Sequence, residues 1–428
     1  MDSVDSLHSL LTENPRDERA LASIGDFLTQ CSRGEALQRW SREYTRDQRS
    51  KAWLQEVVAE AMRSGQLQRA GKAAELYALL RWGAQDHAEL RDANIEVPSK
   101  LPAKPYLTHP KLRHDLEQFA YLRKNGILDP ALLLEVLTRF EAADARLWQR
   151  GGERQPLDEE NRKQIGRYYN RILHLRATPC VAKALSLSWD RAGVQRTYLE
   201  RGSGVAVIDD FLTADALGEL RAFCLESTIW FANRYAHGRL GAFLHDGFTC
   251  PLLMQVAEEL QQELPRIYLP QYPLTQVWAF KNTQHLPASS SMHADFAAVT
   301  TNLWITPDSA NTMPEEGGLT IYNVDAPLHW DFMTYNGRSD VIFPFLYSQG
   351  ASSVTIPHRQ NRAVIFNADL FHETREVRFK PGYENHRINV SWLYGRREDD
   401  VHHPGAHSPS ATYRSVRSWR SAGLRQLR

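Results

Sequence analysis

The chain has 428 residues, and its 51 Lys and Arg residues balance 51 Asp and Glu residues, so the formal net charge is zero. This length gives a substantial core and room for two or three domains. The balanced charge argues against nucleic acid or an anionic membrane surface as the main partner, because the chain presents no large opposite field.

The chain shows no targeting or membrane signal. It begins with acidic residues and has no basic and apolar leader, and no apolar run is long enough to cross a bilayer. The cysteines are scattered without paired spacing, at Cys31, Cys180, Cys224 and Cys250. These features predict a cytoplasmic protein without cysteine-based zinc sites.

Residues 1–97 are predicted to form two pairs of helices. In each pair, apolar residues recur at helical spacing on both sides of a short turn, at Ser32-Arg33-Gly34 and at Ser64-Gly65. The offset between the pairs is close to the roughly 34 residues of a tetratricopeptide repeat. The short sequences Asn14-Pro15 and Gly34-Glu35-Ala36-Leu37 also resemble that repeat family. Only two degenerate copies are visible, so a plain helical bundle stays open as the alternative. A repeat would offer a concave surface to a protein or peptide partner.

Four prolines predict a stiff linker over residues 98–110. Further helices are predicted over residues 111–200, a connecting region in which His114-Asp115 is interpreted as part of a solvated helix face. A strand at residues 205–208 and a helix after it then open the C-terminal region.

The tripeptide His293-Ala294-Asp295 lies on a turn between two predicted strands, the second of which is the β-branched, alternating stretch at residues 298–306. His372 follows the end of a short apolar strand. Two imidazoles and one carboxylate occupy three positions of an iron ion and leave the others open for substrate and oxygen. A second match, His329-Trp330-Asp331, lies in a loop-like stretch rich in Pro, Asp, Asn and Gly, and is predicted to pack or to face solvent.

The last predicted strand carries a candidate anion-binding residue. Alternation with a period of two places Arg387, Asn389 and Ser391 on one face of that strand. Such a face often meets solvent, which is the plain alternative. A guanidinium is also a rigid fork that matches a carboxylate. Arg387 is therefore the candidate partner for a dicarboxylate co-substrate, with neutral hydrogen bonds from Asn389 and Ser391.

These motifs, together with the segment from Gly317 to Tyr322, resemble the 2-oxoglutarate- and Fe(II)-dependent dioxygenase superfamily over roughly Val205 to Gly395. The resemblance implies an α+β chain whose residues 201–397 form a double-stranded β-helix, or jelly roll. It also implies that His293, Asp295 and His372 bind Fe(II), and that Arg387 pairs with the far carboxylate of 2-oxoglutarate.

The resemblance further implies a reaction that consumes O2 and 2-oxoglutarate and releases succinate and CO2. Asn302 and Tyr322 are additional candidate contacts to 2-oxoglutarate or substrate. Asp295 favours hydroxylation, because related halogenases have a small residue at that position. Long insertions at residues 307–316 and 325–350 leave the substrate pocket undefined.

Residues 398–428 are predicted to form a flexible basic tail. Three functions stay open for the whole chain. The first is a hydroxylase of a peptide or protein residue, with the helical repeats as a docking surface. The second is the same chemistry on a small metabolite, and the third is a repeat adaptor whose barrel is a scaffold without turnover.

Overall fold

The computed structural model describes residues 10–11, 13–14, 16–46, 49–84, 87, 106–149, 154–199, 204–235, 238–282, 285–286 and 292–400. The chain divides into two compact units, one of residues 1–182 and 218–255 and the other of residues 183–217 and 256–428. The predicted boundaries at residues 97, 110, 200 and 397 stay predictions. Residues 98–105 of the predicted linker and 401–428 of the predicted tail lie outside the described residues.

The first unit is mainly helical. Its helices are α1 (Glu18–Gln30), α2 (Arg33–Arg46), α3 (Arg49–Arg63), α4 (Leu67–Trp82), α5 (His109–Lys124), α6 (Pro130–Gln149) and α7 (Glu159–Ile165). Its strands are β1 (Tyr106–Thr108), β2 (Arg154–Pro156), β4 (Ala232–Tyr235) and β5 (Arg239–Phe243), which pair as β1 with β2 and β4 with β5. Helices α9 (Ala214–Glu226) and α10 (Pro251–Glu263) each continue from one unit into the other along the chain.

The four N-terminal helices lie where the apolar spacing predicts them. Helix α1 begins at Asp17, whose side chain accepts the Ala20 N–H at 2.8 Å. Helices α3 and α4 pack together across the short turn at Gly65, which has a φ of +72° and therefore suits glycine. Helix α1 packs against α3 and α4, and α2 packs mainly against α4. Stacking of repeats is not specifically shown by these contacts, and the tetratricopeptide arrangement stays a prediction.

The end of the predicted linker is regular structure. Residues Tyr106–Thr108 form β1, and the Thr108 side chain accepts the Lys111 N–H at 3.3 Å to cap α5. Pro110 lies in the first turn of that helix, where its missing N–H interrupts no helical hydrogen bond.

The interpretation of His114-Asp115 as a solvated helix face is wrong. Both residues are buried, and His114 Nδ1 lies 2.9 Å from Asp115 Oδ1 while Lys111 Nζ contacts the other carboxylate oxygen. The Trp230 ring packs on the same side, with its centroid 6.4 Å from that of His114. A buried carboxylate requires such partners, so this group is a charge cluster inside the first unit.

The described residues of the second unit form two main antiparallel sheets and one separate strand pair. The larger one has the strand order β3-β11-β8-β14-β6 within this unit, and the smaller one has the order β10-β9-β12. The strands of the larger sheet are β3 (Val205–Ile208), β6 (Leu274–Asn282), β8 (Val299–Trp304), β11 (Ala363–Asn367) and β14 (Arg387–Tyr394). Those of the smaller sheet are β9 (Leu319–Asp325), β10 (Ser353–Ile356) and β12 (Leu370–Thr374), and β7 (His285–Leu286) pairs separately with β13 (Val377–Arg378).

The two sheets share one apolar core. Val364 and Phe366 of the larger sheet pack in the same cluster as Ile321 and Leu370 of the smaller sheet. Two antiparallel sheets around a common core form a sandwich. The mixed helix and sheet class is therefore confirmed, and the sandwich is consistent with the predicted double-stranded β-helix.

Helices α8 (Arg191–Leu199), α11 (Phe332–Gly337) and α12 (Ser339–Ser348) complete the second unit. The stretch at residues 325–337 is predicted to be a loop, yet its second half forms α11, and α12 follows within the same insertion. Apolar residues of these helices, including Ile342, cluster with Val324 and Phe371 on the outer face of the smaller sheet. Among the described helices, none combines the length and apolar composition that crossing a bilayer requires.

Candidate metal centre

Backbone pairing brings the two candidate histidine ligands together. The N–H of His293 donates to the carbonyl of His372 at 3.0 Å, and the N–H of His372 donates to the carbonyl of His293 at 2.8 Å. Directly opposed residues of an antiparallel pair carry their side chains on the same face. The two imidazole centroids are consequently only 4.3 Å apart.

Asp295 supplies the third candidate ligand. Its N–H donates to the carbonyl of Ala368 at 2.9 Å, which fixes the turn. Its Oδ1 lies 3.8 Å from His293 Nε2, and its Oδ2 lies 3.8 Å from His372 Nε2. Thr300 donates its hydroxyl to the same Oδ2 at 2.8 Å and so limits rotation of the carboxylate.

The tautomer of His372 suits metal binding. Its Nδ1 lies 2.9 Å from the carbonyl oxygen of Leu370, which can only accept, so Nδ1 carries the proton and Nε2 presents its lone pair. The Phe366 ring packs edge-on against the imidazole, with the centroids 4.8 Å apart. Ring orientation and tautomer are thus both set by neighbouring groups.

The donor set fits a divalent transition metal. One ligand atom from each of His293, Asp295 and His372 lies within 4.8 Å of the others. Asp295 and His372 are buried, and His293 is partly exposed. Two nitrogens and one carboxylate oxygen on one side of an ion leave its opposite side open, which is the donor chemistry of Fe(II) oxygenase sites.

Arg387 faces the inside of the sandwich. The residue is only 2% exposed, so the plain alternative of a solvent-facing strand is excluded. Its Nε donates to the carbonyl of Gly317, and its Nη1 donates to Asn389 Oδ1 at 3.0 Å. A buried guanidinium held in this way has the fixed orientation that bidentate recognition of a carboxylate requires.

Neutral polar groups continue from Arg387 along the same face. Asn389 donates through Nδ2 to Asn302 Oδ1 at 2.9 Å, and Ser391 donates its hydroxyl to the same oxygen at 3.1 Å. Asn302 pairs directly with Ser391 across strands β8 and β14. The structure therefore brings together Arg387, Asn389, Ser391 and Asn302, four of the five residues proposed for co-substrate binding.

Tyr322 does not join this group. In β9 its neighbour Ile321 pairs with His372 and faces the core, so Tyr322 points to the opposite face. There its hydroxyl donates to Glu373 Oε1 at 3.3 Å, and burial, followed by the Glu373 carboxylate, raises the pKa of the phenol. This placement does not support a contact between Tyr322 and 2-oxoglutarate.

The second His-x-Asp match has a structural explanation. Asp331 caps α11 by accepting the Thr334 N–H at 3.0 Å. That hydrogen bond lowers the pKa of the Asp331 carboxyl. The Trp330 ring packs against Phe345, with the centroids 5.0 Å apart. The predicted packing role is therefore found, and among the described residues the His293 group is the one that meets the geometry of a metal site.

Sequence reasoning missed Thr300, Trp304 and His358. Thr300 and Trp304 share the inward face of β8 with Asn302, so extending the alternation from Asn302 in both directions would have found them. His358 lies in the loop after β10 and had no pattern to indicate it.

No protein-family model matches the chain, and no curated protein matches it. Several solved structures resemble it. The non-heme α-ketoglutarate-dependent carbocyclase SnoK from nogalamycin biosynthesis is 16% identical over 51% of this chain and 88% of its own, with a TM-score of 0.34. A prolyl-4-hydroxylase from Pseudomonas putida is 14% identical over 49% of this chain and 100% of its own, with a TM-score of 0.31. HygX from Streptomyces hygroscopicus, with nickel and 2-oxoglutarate bound, is 14% identical over 47% of this chain and 87% of its own, with a TM-score of 0.32. Identities and TM-scores this low do not establish a function for the chain.

Proposed function

We propose that the chain is an Fe(II)- and 2-oxoglutarate-dependent oxygenase that hydroxylates a C–H bond of a peptide or protein residue and releases succinate and CO2. The observation that carries this proposal is the presence of His293, Asp295 and His372 in the same sandwich as an inward, buried Arg387. A three-residue metal site alone fits many chemistries. A fixed, buried cation near it specifies an anionic co-substrate.

Strand β9 links the Arg387 end of the interior to the candidate metal ligands. The carbonyl of Gly317 accepts from Arg387, and Gly317 lies two residues before β9, in which Ile321 pairs with His372. This arrangement supports a co-substrate that carries an acidic group at each end.

Iron, when bound with 2-oxoglutarate and O2, would supply the oxidising chemistry. The chain's own residues hold and orient the reactants. His293, Asp295 and His372 would bind the metal on one side, and Arg387 would neutralise the far carboxylate. Asn302 and its neighbours supply neutral dipoles, so the interior gains polarity without a second charge. Tight packing of the core excludes water from this side of the site.

The surface next to the metal-binding turn supports a macromolecular substrate. Helix α11 contacts this turn, because Ala294 donates its N–H to the Tyr335 carbonyl and Asn336 donates to the Ala294 carbonyl, both at 3.0 Å. The same insertion exposes Met333 on α11 and Tyr347 on α12, which are 69% and 90% accessible. Exposed apolar side chains on the insertion that contacts this turn fit a peptide that extends beyond the pocket.

The first test is an anaerobic titration of the purified protein with Fe(II) and 2-oxoglutarate, monitored through the visible charge-transfer band of the chelate. We expect a band that weakens strongly in Arg387→Ala and partly in Arg387→Lys, which keeps the charge but not the fork. Arg176→Ala removes an arginine paired with Glu219 and Glu226 in the first unit and serves as the matched control. Bound iron without a band in the wild type would reject the proposal and favour a scaffold or another metal chemistry.

The substrate class needs a separate test. Succinate release should be stimulated by peptides, and Met333→Glu or Tyr347→Glu should raise the KM for the peptide. Leu187→Glu, which changes another exposed apolar residue of the second unit, should not. Stimulation by small metabolites alone, with normal kinetics in all three variants, would move the assignment to a small-molecule oxygenase.

A further inference from the structure

Two buried polar side chains, those of Trp304 and His358, lie on the same side of the sandwich interior as Arg387. Trp304, at the end of β8, is fully buried, and its ring centroid lies 5.9 Å from the Arg387 Cζ atom. The side chain of His358 is fully buried as well. Its ring lies 5.9 Å from that of Trp304 and 5.1 Å from that of Phe379. These contacts place Trp304 and His358 at the Arg387 end of the sandwich interior.

Both side chains hold polar atoms that the surrounding protein does not satisfy. Trp304 Nε1 and both ring nitrogens of His358 have no hydrogen-bond partner among the described residues. The carboxylate of Asp308 lies 3.7 Å from His358 Nδ1, which is too far for a hydrogen bond. Buried polar groups of native proteins are nearly always hydrogen-bonded, so three such atoms at one place point to a ligand with acceptor oxygens.

Two glycines bring the backbone close to these side chains. Gly317, whose carbonyl accepts from Arg387, has a φ of +74°. A Cβ atom there would lie 3.1 Å from the Phe379 ring and 3.5 Å from His358 Cβ. A Cβ atom on Gly318 would lie 1.9 Å from the carbonyl oxygen of Ile356. Two consecutive glycines therefore let β9 approach His358 while Arg387 stays fixed.

We propose that Trp304 and His358 are specificity-determining residues that complete, with Arg387, the binding of the far carboxylate of the co-substrate. This inference rests on the proposed function and deepens it. A carboxylate has about four lone-pair sites, and a guanidinium fork fills two of them. The Trp304 N–H and one N–H of His358 supply further donors. The pocket then selects a 2-oxo diacid over a 2-oxo monoacid of equal length, because a methyl end group would leave all these donors unsatisfied.

The charge balance agrees with this assignment. Burial, followed by the neighbouring Arg387 and Arg362 guanidinium groups, lowers the pKa of His358 to about 3, so the imidazole is neutral at pH 7. A neutral imidazole donates one N–H and adds no charge. A single cation, Arg387, then meets a single carboxylate, and no unbalanced charge is buried.

The test compares two ligands on the anaerobic Fe(II)-loaded protein: 2-oxoglutarate, and 2-oxopentanoate, which has a methyl group in place of the far carboxylate. Trp304→Phe and His358→Leu each remove the donors and keep a large apolar side chain. We expect each to weaken 2-oxoglutarate binding about 10- to 100-fold, the value of one hydrogen bond to a charged group. Binding of 2-oxopentanoate should stay unchanged. Trp392→Phe makes the same chemical change at a buried position on the opposite face of β14, and should affect neither ligand.

A purely structural role predicts a different result. It would weaken the binding of both ligands equally, and that finding overturns the inference. If the wild type and both variants bind 2-oxoglutarate with the same affinity, the inference is overturned and the proposed function stands. No 2-oxoglutarate binding by the wild type rejects the proposed function, and the inference with it.

A second measurement needs no variant that might unfold. In the Zn(II)-loaded wild-type protein, the indole N–H resonance of Trp304 should shift on addition of 2-oxoglutarate and not on addition of 2-oxopentanoate. The Trp304→Phe spectrum, or selective labelling, assigns that resonance. A Trp304 resonance that stays in place while 2-oxoglutarate saturates the protein would overturn the inference.

Discussion

Replacing Thr300 with valine tests whether the Asp295 carboxylate is held in place for metal binding. Valine has nearly the same shape as threonine and lacks the hydroxyl. The lost hydrogen bond joins Thr300 Oγ1 to Asp295 Oδ2 over 2.8 Å, and this oxygen is the one that faces His372. Without it, the carboxylate can rotate away from the two imidazoles.

Two independent estimates give the size of the effect. A hydrogen bond to a charged group contributes about 1.5–3 kcal/mol. Loss of a group that orients a metal ligand typically weakens metal binding about 10- to 100-fold, or about 1.4–2.8 kcal/mol. The two ranges overlap, so Thr300→Val should bind Fe(II) about 10- to 100-fold more weakly. Affinity for 2-oxoglutarate at saturating Fe(II) should change little, because the described contact of the Thr300 hydroxyl is to Asp295.

The assay is an anaerobic competition between the protein and a chelator of known Fe(II) affinity. Thr301→Val is the matched control: Thr301 is adjacent on β8, but its hydroxyl faces away from the site and hydrogen-bonds with the Tyr268 hydroxyl. Equal weakening in both variants would indicate a general effect on the strand. Wild-type affinity in Thr300→Val would refute the positioning role.

Three further outcomes follow from local geometry. Asp331→Ala removes the cap of α11 and should lower the free energy of unfolding, measured with urea, by about 1 kcal/mol. Metal binding should not weaken in this variant. A tenfold loss of metal affinity would instead indicate that Asp331 is a ligand. Gly317→Ala places a side chain at a φ of +74° with a neighbouring aromatic ring at 3.1 Å, whereas Gly350→Ala has a φ of +61° and open space. The left-handed conformation alone costs about 1–2 kcal/mol, so Gly317→Ala should destabilise the protein more than Gly350→Ala in the same urea assay, and equal losses would contradict the crowding. Burial acts to raise the pKa of the Asp209 carboxyl, but the ion pairs with Arg362 and Arg359 lower it by more. The pKa of Asp209 in the folded protein is therefore below its usual value. The stability from this carboxylate is present above the pKa of Asp in the unfolded chain, about 4, and is lost as the pH falls through the lower folded value. Below about pH 4 the wild type should therefore lose stability more steeply than Asp209→Asn, and parallel pH profiles in urea unfolding would contradict the ion pair.

Residues close together in the sequence were the easiest to place. His293 and Asp295 are two positions apart, so the short turn that places one of them also places the other. The same alternation grouped Arg387, Asn389 and Ser391 on one face of β14, as the structure has them. Alternation did not show whether that face met solvent or the core, because the answer depends on a second sheet that is distant in sequence.

Contacts that depend on strand register could not be read from the sequence. Tyr322 was proposed as an additional contact to 2-oxoglutarate or substrate, yet the pairing of Ile321 with His372 turns Tyr322 to the outer face. One step of register would have reversed that result. Helices α11 and α12 were missed for a different reason: α11 is short and contains the turn-forming residues Asn336 and Gly337, and α12, although apolar, contains Pro344.

The backbone pairing of His293 with His372 would preform the proposed metal site. Their backbones exchange two hydrogen bonds, Leu370 sets the His372 tautomer, and Thr300 holds the carboxylate of Asp295. None of these contacts involves a metal. Small metal domains have no preformed site and fold only when the ion binds. Here the sandwich core supplies the folding energy, and the ligands are already placed. Binding energy from the ion is then not spent on ordering the chain, which permits a site with only three protein ligands and an open side.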